Sequence, residues 1–327
     1  MWFVGSVPCD NNGAELTQIL SERRDQPFAD GLVANCSFSS KPPDGYRNYH
    51  EKMTAYVGIL EGYAKAIDPT VSARIGAQAS GASGKSVFRY PDAASSRAQT
   101  GACAEKLELP KVVIIGLGGT GSYILDLVAK TWVEEIHLYD PDIFHNHNAF
   151  RAPGAPSGEE LDAAPKKVDD FHAIYERMHE HVVPHDCRID ETNVDDLRDA
   201  SFVFLAIDGG PTKKVIIEAL EGFGVPFIDT GIGVYQTGDS LGGLVRTTTS
   251  SDGNRRHVWD GRRISFADVG EDEYDQNIQV ADLNMLNAAL AVLRWKRMFG
   301  FYLDLEHEHS STYEIDGNHL LNEDHGA

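Results

Sequence analysis

VVIIGLGGTGS, Val112 to Ser122, is the stretch on which the fold turns. An apolar run of strand length passes into a glycine-rich turn and then into a helical pattern. Gly116, Gly118 and Gly121 fit G-x-G-x-x-G, with Gly119 as an extra glycine and Ser122 closing the loop. Glycines let the backbone turn sharply and approach a polyphosphate, while free amides at a helix N-terminus hold its negative charge. A second strand, EIHLYD, ends in Asp140, where an acid can bind a ribose hydroxyl. This reads as a nucleotide-binding half-domain. The loop alone does not choose between NAD, FAD and ATP.

Working outward, the chain from Lys111 to about Gly231 alternates short apolar runs with helical patterns. Strands are expected at Val112–Ile115, Glu135–Tyr139, Phe202–Ile207 and Pro226–Asp229, and helices at Gly121–Thr131, Lys166–His181 and Thr212–Gly222. Such alternation predicts an α/β fold: a Rossmann-like, doubly wound, mainly parallel sheet with helices on both faces. Beyond Ile232, Gly233–Asn254 reads as β-hairpins, followed by a long helix, Gln276–Arg297. Leu283, Leu286, Leu290 and Leu293 mark one face of that helix, as core or as an interface. The acidic tail from Leu303 carries His307, His309, His319 and His325 without a recognisable ligand spacing, and reads as solvated. On the N-terminal side, turn-rich segments flank Asn48–Ile67, an amphipathic helix expected to pack on the main domain, and Ala82–Ser96 reads as a connector. The division expected is 1–105, an α+β appendage, and 106–327, the nucleotide-binding domain with its C-terminal hairpins, helix and tail.

Length and composition bound the function. The chain has 327 residues, with 29 basic against 50 acidic side chains and a net charge of −21. That balance argues against nucleic acid as the main partner, because phosphate backbones are bound by Lys and Arg. The four cysteines, Cys9, Cys36, Cys103 and Cys187, form no C-x-x-C pair, so neither a zinc ribbon nor a disulfide scaffold is expected. No leader and no membrane span is read from the sequence, and a cytoplasmic protein is the expectation.

Further residues narrow the ligand. Asn148 and Arg151 follow Asp140 in PDIFHNHNAFR, Lys166 and Lys167 open the next helix, and FVFLAID ends in Asp208 with Lys213 beyond it. Hydride transfer has no need for an Arg, a Lys and an Asp converging on phosphates. Nucleotidyl transfer does: the Asp can hold Mg²⁺ and the cations neutralise charge developing on the α-phosphate and on departing pyrophosphate. A nicotinamide-dependent oxidoreductase leaves this set unexplained, and a non-catalytic scaffold has no use for it.

Taken together, G-x-G-G-x-G-S, the acid ending the next strand, N-x-x-R, the helix-opening lysine and D-x-x-x-x-[R/K] resemble the ThiF/MoeB/HesA superfamily of adenylating enzymes over about Lys111–Tyr302. The resemblance implies ATP and Mg²⁺ as ligands, with Gly118 and Gly119 against the phosphates and Asp140 on the ribose. It implies Asn148, Arg151 and Lys167 as phosphate contacts, Lys167 matching better than Lys166, and Asp208 as the Mg²⁺ ligand. The family's usual Asn and Arg after that aspartate are here Gly209 and Lys213. Many relatives are homodimers in which an arginine before the first strand enters the partner's site. Arg97 matches that role, with Arg89 as runner-up. The reaction implied is attack of an acceptor's C-terminal glycine carboxylate on the ATP α-phosphate. No cysteine follows Cys187, so the thioester-forming thiol of some members is missing from its usual place.

CSFSSKPPDGYRNYHEKMTAYV, together with Tyr274–Tyr302, resembles a bacterial subgroup with an extra N-terminal domain, found in ubiquitin-like conjugation systems. That implies a ubiquitin-like protein as acceptor and a conjugating-enzyme-like carrier downstream. The appended domain itself carries no constellation for chemistry and is read as binding a partner. Within the superfamily, a small carboxylate, a peptide or a modified base on tRNA are the other acceptors.

Overall fold

The computed structural model describes residues 1–29, 31–43, 45–68, 71, 86–98, 100–266 and 278–325, without the side chains of Ser96 and Arg97. The chain divides into two compact units, Met1–Gly76 and Ala77–Ala327.

The first unit is a three-stranded antiparallel sheet and one long helix. Strands β1 (Trp2–Phe3), β2 (Leu20–Ala29) and β3 (Leu32–Phe38) lie in the order β1-β3-β2. Helix α1 (Tyr49–Ile67) starts where the Asn48 side chain accepts from the Glu51 amide. Its Tyr56, Leu60 and Tyr63 meet Leu16, Ile19 and Phe38 of the same unit. The apolar face that the sequence assigned to the main domain is thus used within the appendage.

In the second unit, eight strands form one mixed sheet: β4 (Lys111–Ile115), β5 (Glu135–Tyr139), β6 (Val182–His185), β7 (Phe202–Leu205), β8 (Phe227–Thr237), β9 (Ser240–Ser250), β10 (Ser310–Glu314) and β11 (His319–Glu323). The helices are α2 (Ala93–Ala98), α3 (Gly101–Ala104), α4 (Gly119–Val128), α5 (Asn146–Ala149), α6 (Gly158–Asp162), α7 (Lys167–Tyr175), α8 (Pro211–Phe223), α9 (His257–Asp260) and α10 (Ala281–Met298). Sheet order is β11-β10-β9-β8-β7-β4-β5-β6, with β8 through β6 parallel and the rest antiparallel. The connections leave β4 toward β5 and β6, then return across it to β7 and β8. The order therefore reverses between β4 and β7, and the glycine loop leaves the carboxyl end of β4 at that point.

Alternation along the central strands fixes the two layers. Val112 and Ile114, with Ile136, Leu138, Phe202 and Phe204, face Ile124, Leu125 and Val128 of α4, Phe171 of α7 and Trp295 of α10. Val113 and Ile115, with Val203, Leu205 and Phe227, face Ile216, Ile217 and Leu220 of α8. Helices cover both faces, as the pattern of a doubly wound sheet requires.

Three readings change. Residues 276–277 of the expected long helix lie outside the described residues, and α10 begins at Ala281. Of the leucine stripe only Leu283 is buried: Leu293 is exposed and Leu286 and Leu290 half-buried, whereas Asn284, Asn287, Ala288, Ala291 and Trp295 are buried. Small residues let α10 lie close to α4, and a Leu stripe would hold it away. The tail is not solvated either. It folds back as β10–β11, extends the sheet from β9, and buries Glu308, His309 and Ser310.

Candidate active site

A cavity of about 800 Å³ opens at the carboxyl ends of β4, β5, β7 and β8. It is lined by the glycine loop, Asp140, Asp142, Arg151, Lys167, Asp208, Lys213 and Arg246, among others. The glycines do different work. Gly116 turns the chain at φ +90°, and a Cβ there would stand 2.4 Å from the Ala206 carbonyl oxygen. A Cβ on Gly121 would fall 1.8 Å from the Gly116 oxygen, and one on Gly119 would strike the Asn284 amide at 2.2 Å. Gly118 has open space around its missing Cβ and lines the cavity at the N-cap of α4. Gly116, Gly119 and Gly121 permit the turn; Gly118 leaves room for a ligand.

Asp140, nearly buried, is built into the loop: its Oδ2 accepts from the Leu117 amide at 2.6 Å and its Oδ1 from the Asp142 amide at 2.9 Å. Lys167 Nζ stands 3.5 Å from Asp140 and donates to Asp142 Oδ2 at 2.8 Å. Lys167 lines the cavity, while Lys166 turns away to the Pro141 carbonyl and Asp186. Arg151 also lines it, and its buried Nε has no partner among the described residues. Asp208 is exposed at the mouth, without an ion pair among the described residues.

Not every residue marked by the sequence reaches the cavity. Asn148 is buried and its Oδ1 accepts from the His145 amide, capping α5, so it shapes the turn that presents Arg151. Ser122 is fully buried and donates to the Gly119 carbonyl. Arg97 falls in α2 and its side chain lies outside the described residues. Arg89 is exposed and donates to the Glu176 carbonyl. Lys213, read as a phosphate-side cation, does line the cavity, but it is largely buried with its Nζ 2.6 Å from Asp229, a carboxylate with no exposure.

Other groups enter from parts of the sequence that gave no signal. Asp142, two residues beyond Asp140, forms the other half of the lysine cradle. Arg188 follows β6, and Arg246 lies in β9 with Nη2 3.0 Å from Asp229. Asn284 and Asn287 come from α10: Thr120 Oγ1 donates to Asn284 Oδ1, and Asn287 Nδ2 donates to the Gly231 carbonyl. Asn284 Nδ2 and Asn287 Oδ1 remain without partners among the described residues.

Five cationic side chains and three carboxylates thus line one cavity of a chain whose net charge is −21. The balance favours a polyanion, and buried orphan groups such as Arg151 Nε are those a bound ligand would satisfy. A lone exposed carboxylate at the mouth suits Mg²⁺, which takes one or two carboxylates and completes its shell with water and substrate phosphate oxygens. Among the described residues no group of three His, Cys, Asp or Glu could hold a metal by itself. Cys187, beside Arg188, is a poor nucleophile: burial and then Asp196, Asp186 and Asp190 push its thiol pKa up. No helix among the described residues is long and apolar enough to cross a membrane.

Comparison with known proteins agrees with this fold. Residues 94–241 match the ThiF family, and residues 1–93 match a domain of unknown function, DUF6791. A crystal structure of E. coli MccB is 18% identical, covering 71% of this chain and 69% of that one, with a TM-score of 0.54. Another, of MccB with AMPCPP and MccA, is 17% identical over 71% of each chain, at 0.53. PaaA is 15% identical and covers 93% of this chain and 98% of its own, also at 0.53. No curated protein matches in sequence.

Proposed function

Starting from the premise that residues 94–241 form a domain of the ThiF family, a family of adenylyltransferase-type enzymes, we propose that this protein adenylates a carboxylate with ATP. The acceptor we assign is the C-terminal glycine of a ubiquitin-like protein, to be passed to a conjugating-enzyme-like carrier. The observation that carries the reading is the cavity at the strand-order reversal, with Arg151, Lys167 and Asp208 converging on the glycine loop.

In that reaction an acceptor carboxylate oxygen forms a bond to the α-phosphorus and the bond to pyrophosphate breaks. The nucleophile is already an anion, so no proton transfer and no side-chain nucleophile is needed. The chain's work is positioning and charge neutralisation. The amides of Gly119 and Thr120 face the phosphates at the N-terminus of α4, and Arg151 neutralises charge moving onto pyrophosphate. Lys167, anchored by Asp140 and Asp142, is held in place for the α-phosphate, while Asp140 keeps lone pairs for the ribose. Asp208 would hold Mg²⁺, which would supply Lewis-acid charge to the phosphates. Arg97 of a second copy completes the site in the homodimer that we infer.

The crystal structure of MccB with AMPCPP and MccA supports a neighbouring reading, a peptide carboxylate as acceptor. Thermal shifts with Mg²⁺-ATP, with ATP lacking metal and with NAD test the common core. A ligand at about 100 times its Kd stabilises by roughly 2.7 kcal/mol. Stabilisation by Mg²⁺-ATP, lost in Asp208→Ala and absent with NAD, is expected; stabilisation by NAD alone would sink the proposal. AMP transfer to a ubiquitin-like protein of the same genome, and not to a variant lacking its terminal glycine, separates the two acceptors.

A further inference from the structure

One side of α10 carries Asn284, Ala288, Ala291 and Trp295, which recur at helical spacing. Three of them are what close packing asks for: Ala288, Ala291 and Trp295 share one apolar layer with Ile124, Leu125 and Val128 of α4. The stripe turns polar where it reaches the glycine loop. Asn284 is 1% exposed, and its carboxamide lies against Gly119, where a Cβ would fall 2.2 Å from Nδ2. Its Oδ1 accepts from Thr120 Oγ1 at 3.0 Å.

That arrangement is costly. Asn284 Nδ2 has no acceptor among the described residues, and a buried donor left unmet costs about 1–3 kcal/mol. An alanine would continue the apolar stripe without that cost, so packing does not account for Asn284. Its one side-chain hydrogen bond goes to the second residue of α4. One turn further along α10, Asn287 Nδ2 donates to the Gly231 carbonyl of β8 at 3.1 Å, which pins the start of the helix to the sheet. A continuous path therefore runs from β8 through Asn287 and Asn284 to Thr120. Gly119 and Thr120 line the cavity, and their amides are among the first of α4, which have no partner within the helix. Both asparagines lie beyond residue 241, where the match to the ThiF family ends.

We propose that Asn284 is a positioning residue for the nucleotide: through Thr120 it fixes the first turn of α4, so that the amides of Gly119 and Thr120 stay aimed at the phosphates. The identity of the ligand rests on the adenylating reading. Asn284 acts through Thr120 and does not itself touch the nucleotide.

The test is the affinity of the full chain for Mg²⁺-ATP and for adenosine at millimolar concentration, measured by calorimetry beside urea unfolding. Asn284→Ala should weaken Mg²⁺-ATP at least tenfold and leave adenosine within twofold. Its urea midpoint should stay or rise, because the unmet donor is gone. A side chain needed only for folding would instead lower the midpoint and weaken both ligands together, and that result would overturn the proposal. Thr120→Ala cuts the same contact from the other end and should reproduce the loss. The double variant should then bind no more weakly than the worse single one, since the two side chains act as a unit. Additive losses would overturn the proposal, as would wild-type affinity for Mg²⁺-ATP in Asn284→Ala. If the wild-type chain fails to bind Mg²⁺-ATP, the adenylating reading falls first and this inference with it.

Discussion

Gly118 and Gly121 share a motif yet stand in opposite surroundings, which makes their substitutions diagnostic. Gly121→Ala forces a Cβ into the Gly116 carbonyl and should cost about 1–3 kcal/mol or more, because backbone on both sides cannot give way. Gly118→Ala meets nothing in the folded chain and keeps φ at −71°, so urea unfolding should change little while the nucleotide-induced thermal shift disappears. His179 gives a pH handle. Burial, only partly offset by its hydrogen bond with the Val133 carbonyl, pushes its pKa down to about 4. The folded state therefore resists protonation that the unfolded chain accepts near pH 6.5. The neutral ring's contribution is complete above that value and is lost as the pH falls toward 4, on the order of 3 kcal/mol in all. Denaturation midpoints measured between pH 7 and pH 4 should fall, and His179→Gln should flatten the fall. That Asp140, Arg151, Lys167 and Asp208 line one cavity was legible because each lies on the connection that follows a strand's carboxyl end. Arg246, Asn284 and Asn287 were not, since only the tertiary arrangement of β9 and α10 brings them to the cavity.

At the scale of elements, α10 shows how a helical pattern can mislead. Its leucines recur at the right interval, but close approach to α4 selects the alanines and asparagines between them. Ala291→Leu should therefore cost about 1–3 kcal/mol by overpacking. Leu293→Ala, on the side the sequence marked, should cost less than about 0.5 kcal/mol in the monomer. Chemical denaturation of both variants checks the order, and the reverse order would mean that the leucines face the core. The central strands were readable for the opposite reason: β4, β7 and the start of β8 are apolar on both faces, so composition locates them, and β5 alternates with Ile136 and Leu138 on one buried side. The hairpin continuation of β8 past Asp229 and the boundary of α7, which stops at Tyr175 instead of His181, depend on pairing partners that no local pattern reveals.

For the whole molecule, the acidic C-terminal segment is structural where composition suggested a solvated tail. Glu308 is buried against Arg297 and lies 3.7 Å from Arg294, which is itself nearly buried and bonded to Asp304 at 2.6 Å. Removing one member of such a group strands charge in the interior. Glu308→Gln should cost about 3–5 kcal/mol, read as a lower melting temperature, while the same change at exposed Glu306 should cost almost nothing. A flat result at Glu308 would return the segment to solvent. The net charge of −21 belongs to this scale too: five cations against three carboxylates line the cavity where the glycine loop opens, the reverse of the balance over the whole chain.

The hairpin β10–β11 also sets a schedule for synthesis. β9 is finished at Ser250, but the strand that pairs with its outer edge starts only at Ser310. At roughly 5–20 residues per second, that edge waits on the order of 3–12 seconds for the ribosome to supply its neighbour. During that interval a nascent chain carries an open row of amides and carbonyls beside a nearly complete parallel sheet. Slow codons between the two strands should lengthen the exposure and favour pairing between chains on one polysome.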